Sequence, residues 1–155
     1  MKVVRWMTAV AALAFALSVQ APDRALGAVG DPEVILYRFT GVHNFGTSAT
    51  AFHCTNFSGV QETIRIVVRD QNSTVAVNHA TVIVHLQTVS FVTQFVGFYG
   101  HMNLSTGNVS QGTAAIAATS TAFVCTAGTV NTSASTPVGL ALHGIRFSPV
   151  PGTQE

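Results

Sequence analysis

The chain has 155 residues, 48% of them hydrophobic, with seven Lys and Arg against six Asp and Glu. It is too apolar for a disordered polypeptide and too weakly cationic to neutralise the phosphates of a nucleic acid. Beyond residue 28 its cations are four scattered arginines, Arg38, Arg65, Arg69 and Arg146, which also excludes a polybasic membrane-binding surface.

Lys2 and Arg5 open the chain, and Met7–Val19 (MTAVAALAFALSV) is a predominantly apolar run of 13 residues. That run is shorter than the roughly 20 residues a membrane helix needs, and it has the form of a secretory h-region. Ala25-Leu26-Gly27 places small residues where a signal peptidase reads. Residues 1–28 are therefore read as a signal peptide that sends the protein to the periplasm, the cell envelope or the medium. About 127 residues then remain, with a net charge of about −1 and no second apolar stretch long enough for a membrane helix. A single domain of that size buries roughly two-thirds of the surface its unfolded chain exposes.

Residues 29–147 read as one all-β domain. EVILYRF (33–39) is a strand by its β-branched and aromatic content. GVHNFGTS (41–48) carries two glycines and an asparagine and reads as a loop. ATAFHCTNF (49–57) is the next strand, closed by Ser58-Gly59. QETIRIVVRD (61–70) alternates, with Ile64, Ile66 and Val68 on one face and Thr63, Arg65, Val67 and Arg69 on the other. After the turn at Gln71-Asn72-Ser73, 73–78 and 80–87 read as strands, or as one strand interrupted near Asn78-His79. SFVTQFVGF (90–98) is another strand, and 99–112 is the longest loop. TAAIAATS (113–120) is rich in alanine, the best helix former, but its threonines and short length favour a strand. It leads into TAFVCTAGTV (121–130). After the polar 131–137, VGLALHGIRF (138–147) is the last strand. Residues 148–155 (SPVPGTQE) form a proline-broken tail. About eight short strands separated by turns predict an antiparallel β-sandwich.

The two cysteines lie in nearly identical hexapeptides, TAFHCT (50–55) and TAFVCT (121–126). With a strand period of two, Phe52 and Cys54 share a face, as do Phe123 and Cys125. All four are expected to point inward. In an oxidising compartment an even pair predicts one disulfide, Cys54–Cys125. Closing a loop of this length stabilises the fold by roughly 4 kcal/mol on the chain-entropy model. Whether the bridge ties neighbouring strands or pins two sheets is open at this point.

Little in the sequence carries chemistry. The six histidines (His43, His53, His79, His85, His101 and His143) show no metal-site spacing, so a metalloprotein requires three of them to converge from distant segments. There is no G-x-S-x-G elbow. Glu62 and Asp70 stand at opposite ends of one predicted strand, too far apart to act as a carboxylate pair. No enzyme activity and no cofactor is predicted. Phe91, Phe95 and Tyr99 fall on one face of the 90–98 segment and its continuation, which makes them a candidate glycan-binding face. Asn56, Asn72, Asn103, Asn108 and Asn131 stand in N-x-[ST] sequons.

In rhythm, IRIVVRD followed by a polar turn and VAVNHATVIVH resembles small exported bacterial domains of immunoglobulin-like or related sandwich type, over about residues 60–98. The resemblance implies a sandwich fold and no particular activity, and the tryptophan that immunoglobulin domains place between their cysteines is missing here. The expected function is that of an exported, non-catalytic binding, adhesion or envelope-associated module with an extracellular partner. A glycan-binding module, a histidine metalloprotein and a self-assembling subunit are the alternatives, the last requiring an open edge strand at 33–39 or 138–147.

Overall fold

The structure, a computed structural model, describes residues 32–146. The signal peptide expected at 1–28 and the tail expected at 148–155 lie outside the described residues. Ten strands make up the domain, and no helix is present among the described residues: β1 (Val34–Phe45), β2 (Ser48–Asn56), β3 (Glu62–Arg69), β4 (Val75–Ile83), β5 (Thr88–Val92), β6 (Met102–Asn103), β7 (Val109–Ala118), β8 (Phe123–Asn131), β9 (Gly139–Leu142) and β10 (Gly144–Arg146).

The strands form two arms. In the first, β7 lies between β3 and β1, with β4 outside β3. In the second, β2 lies between β5 and β8, with β9 outside β8 and β6 outside β5. Two corners join the arms. At the far end of β1, Asn44 still pairs with Val109 of β7 and also opposes Ala49 of β2, with Phe45 opposite Ser48. The chain from β9 to β10 passes from β8 back to β1, where Tyr37, Arg38 and Phe39 oppose Arg146, Ile145 and Gly144. Hydrogen bonding therefore links all ten strands into one curled sheet, rather than dividing them into two separate immunoglobulin-type sheets. The sheet is also mixed and not wholly antiparallel, because β5 and β6 run parallel.

Inward faces of the two arms meet in one core. Phe39, Phe52, Phe91 and Phe123 are its largest fully buried side chains, packed with Ile64, Ile66 and Ile116. The rings of Phe39 and Phe52 meet edge to face at 5.5 Å. Tyr37 donates its hydroxyl hydrogen to the Phe123 carbonyl across the core (3.1 Å). Cys54 and Cys125 are directly opposed in the β2–β8 register, Cα atoms 4.2 Å apart, and joined by a disulfide. The duplicated hexapeptide thus writes the same inward pattern on two neighbouring strands of one arm.

Several segments differ from the sequence expectation, each for a local reason. Residues 41–45 are strand and not loop. Gly41 adopts φ +74°, and register shifts at Thr40/Val42 and Val42/Asn44 bend β1 around the corner. The alanine-rich segment is a central strand, paired on both sides. Ala114, Ile116 and Ala118 face the main core, while Ala115 and Ala117 pack on Ile35 and Val67 on the opposite face. Tertiary burial overrides alanine's helical preference there. Residues 73–83 contain one strand, β4, with no interruption at Asn78-His79. The 90–98 strand stops at Val92, the predicted 99–112 loop contains β6 and the start of β7, and 138–147 breaks at His143 into β9 and β10. In the segment 33–39, β7 pairs along one side and β10 covers Tyr37–Phe39 on the other, whereas in 138–147 β9 pairs only with β8 among the described residues.

Candidate functional site

The end of β5 creates the most distinctive surface of the molecule. Thr93 is fully buried; its amide still donates to the Thr50 carbonyl (3.0 Å), and its side chain ties down the corner. Its hydroxyl donates to the His43 carbonyl (2.6 Å) and accepts from the Thr50 amide (2.9 Å). Asn44, also buried, donates through Nδ2 to the Thr93 carbonyl (2.9 Å) and the Thr106 hydroxyl (3.0 Å). This network satisfies polar groups at the β1–β2 corner and sends residues 94–101 over the outer face of the second arm. There Val96 is buried against Ala49, Ala51, Val92 and Val130, with Phe98 and Tyr99 packed alongside. The alanines of β2 are small enough to let this segment lie flat on the sheet.

Between that segment and β9 runs a groove of about 300 Å³, with Ala51, His53, Tyr99, Thr126, Gly128, Thr129, Pro137 and Leu140 among its walls. This volume is at the small end of ligand sites. His53 and Tyr99 meet edge to face at 4.8 Å, and Phe98 packs on Tyr99 at 4.7 Å. Nearby, Phe95 meets His101 at 5.1 Å. The His101 Nδ1 lies 2.7 Å from the Tyr99 carbonyl. A carbonyl only accepts, so Nδ1 carries the hydrogen and Nε2 is left as an acceptor. His53 Nδ1 shares a hydrogen bond with Ser90 Oγ (2.8 Å). Burial pushes the His53 imidazole below its usual 6.5, so it is neutral at physiological pH. The groove offers ring faces, a neutral imidazole and the Thr126 hydroxyl, and no formal charge lines it.

The structure separates the three predicted ring residues. Phe91 is 0% exposed and belongs to the core, which removes it from the ligand face. Phe95 is 65% exposed and Tyr99 is half-buried at the groove. The single-face alignment fails because it assumed an extended strand through residue 98. Sequence reasoning did not associate His53, Thr126 or Leu140 with the site. The outward position of His53 and Thr126, paired on β2 and β8, follows from the inward placement of Cys54 and Cys125, but Leu140, paired with Thr129, and the fold-over of 94–101 have no comparable signal.

The histidines do not converge: among the described residues no group of three His, Cys, Asp or Glu side chains is placed to hold a metal ion. His79 lies against the Phe91 ring (6.2 Å), and His85 accepts a hydrogen bond from the Gly59 amide (3.0 Å). Asn56 is fully buried and donates to the carbonyls of Val60 (2.8 Å) and Ile83 (3.0 Å), so its sequon is closed to glycosylation in the folded protein. The other four sequon asparagines are exposed. A larger hollow of about 380 Å³ opens beside the β3–β4 turn. Its carboxylate, Asp70, is committed to the turn, accepting from the amides of Asn72 (2.8 Å) and Thr74 (2.9 Å).

Set against family models, curated proteins and solved structures, the chain matches none. Its function therefore rests on the geometry alone.

Proposed function

We propose that the protein is an exported, non-catalytic binding module of the cell envelope or extracellular space, and that the groove between residues 94–101 and β9 is its ligand seat. The buried disulfide supports an oxidising location. No helix among the described residues is long and apolar enough to cross a membrane. The described carboxylates have structural partners: Glu33 pairs with Arg65, Glu62 accepts from the Thr119 hydroxyl, and Asp70 caps its turn. Binding, rather than acid–base chemistry, suits this inventory.

The observation that carries the reading is the juxtaposition of Tyr99, His53 and Thr126 in one uncharged groove. It favours a neutral, polyhydroxylated ligand such as a glycan residue, whose apolar faces stack on rings while its hydroxyls meet the imidazole and Thr126. The test is a glycan-array screen of the oxidised protein, followed by titration calorimetry on the hits. Tyr99→Ala is expected to weaken a hit at least roughly tenfold, the equivalent of about 1.4 kcal/mol, while thermal unfolding changes little. A hit whose affinity ignores both Tyr99→Ala and His53→Ala contradicts this location.

A further inference from the structure

We propose that β4 is a self-association edge, through which two copies of this chain pair antiparallel to continue the first arm's sheet from one copy into the other. This surface lies on the opposite arm from the groove and does not depend on the ligand reading.

β4 ends the strand order and pairs only with β3, from Glu62 opposite Ile83 to Arg69 opposite Val75. Its other side presents a row of backbone donors and acceptors with no strand partner among the described residues. Nine residues at roughly 3.3 Å each make an edge of about 30 Å. The other rims are shorter: β6 has two residues, and β9 has four before the break at His143.

Edge strands ordinarily carry a guard, such as a lysine, a proline, a bulge or an inward charge. β4 reads VAVNHATVI and has neither proline nor charge, and its one register irregularity lies at the far end, opposite Val68/Arg69. From Gln71 to Ile145 the sequence contains no Asp, Glu, Lys or Arg at all. Among the described residues the one cation reaching β4's exposed face is Arg65 of β3, which donates to Asn78 Oδ1 (3.0 Å) and is paired with Glu33, so the strand itself brings no charge to repel an incoming strand, and a near-neutral surface favours association.

Charge placement argues for a second copy over a foreign peptide. β3 holds Arg69 at one end and Glu62 at the other, each directly behind an end of β4. Antiparallel pairing about the middle of β4 sets the Arg69 end of one copy alongside the Glu62 end of the other, at both ends of the joint. The strand that β4 accepts most readily is uncharged, small on its exposed face (Asn78, Ala80, Val82) and flanked by opposite charges. β4 itself fits that description.

The test combines light scattering over a concentration series with amide hydrogen exchange of the oxidised protein. The expected result is a reversible monomer–dimer transition, with exchange slowing in residues 75–83 as the dimer forms. Ala80→Lys combined with Val82→Lys, both on the exposed face, is expected to weaken the dimer at least roughly tenfold through like-charge opposition across the axis. Leu140→Lys, on the other arm, is expected to leave it unchanged. A protein that stays monomeric into the millimolar range overturns the proposal. So does a dimer that leaves exchange in β4 untouched, whether or not the double-lysine variant folds.

Discussion

His53 shows how one side chain reports on its surroundings. It stands half-buried between Ser90 and Tyr99, on an arm without a single formal charge to compensate a proton. Desolvation alone lowers its pKa, so between pH 6.5 and the lower folded value the unfolded chain binds more protons than the folded one. Its contribution to stability is then complete above about pH 6.5 and declines as pH falls from there toward the folded value. Measured against His53→Gln, the wild-type melting temperature is expected to lose ground across that window and to run parallel to the variant above pH 7. A difference independent of pH contradicts the desolvated placement. At this scale the sequence was legible where periodicity governs, as with Phe52, Cys54, Phe123 and Cys125, all buried as the strand period demands. It was not legible for Phe91 and Tyr99. A strand that ends at Val92 depends on Thr93 finding His43 and Thr50 from distant parts of the chain.

Among the elements, close approach of backbones decides more than side-chain pattern. β9 lies so tightly on β8 that a Cβ at Gly139 would stand 2.1 Å from the Thr129 carbonyl oxygen. Because the obstacle is backbone, it yields only by separating the strands. Gly139→Ala is expected to destabilise the domain by about 1–3 kcal/mol and to speed amide exchange in Ala127–Val130. A neutral substitution would mean that β9 is not seated on β8 as described. The same scale explains the mixed record of element prediction. The β3 strand was legible because Ile64, Ile66 and Val68 alternate with Thr63, Arg65 and Arg69 and answer to the main core face, even though Val67 is buried in the second cluster on the other side. The extension of β1 past Gly41 was not, since a glycine, an asparagine and a histidine read as a loop until a bulge turns them around a corner.

At the level of the whole molecule, the pairing of β2 with β8 fixes the second arm, and the disulfide across it is the one covalent constraint between distant segments. It spans a sequence separation of 71 residues, worth roughly 4 kcal/mol on the chain-entropy model, a large share of a domain's 5–15 kcal/mol. Cys54→Ser with Cys125→Ser is expected to lower the melting temperature by roughly 10–20 °C. The all-β class and the bridge itself were legible in the sequence, because strand alternation and paired inward cysteines are local signals. The curled linkage of the two arms was not, since it depends on corner contacts between residues far apart in the chain.

The most direct test is intact-mass analysis of the native protein collected from outside the cytosol, alkylated under denaturing conditions with and without prior reduction. The unreduced sample is expected to take up no alkylating groups, and the reduced sample two, at Cys54 and Cys125, on a chain that begins near residue 28. Two groups on the unreduced material would contradict the account at its foundation.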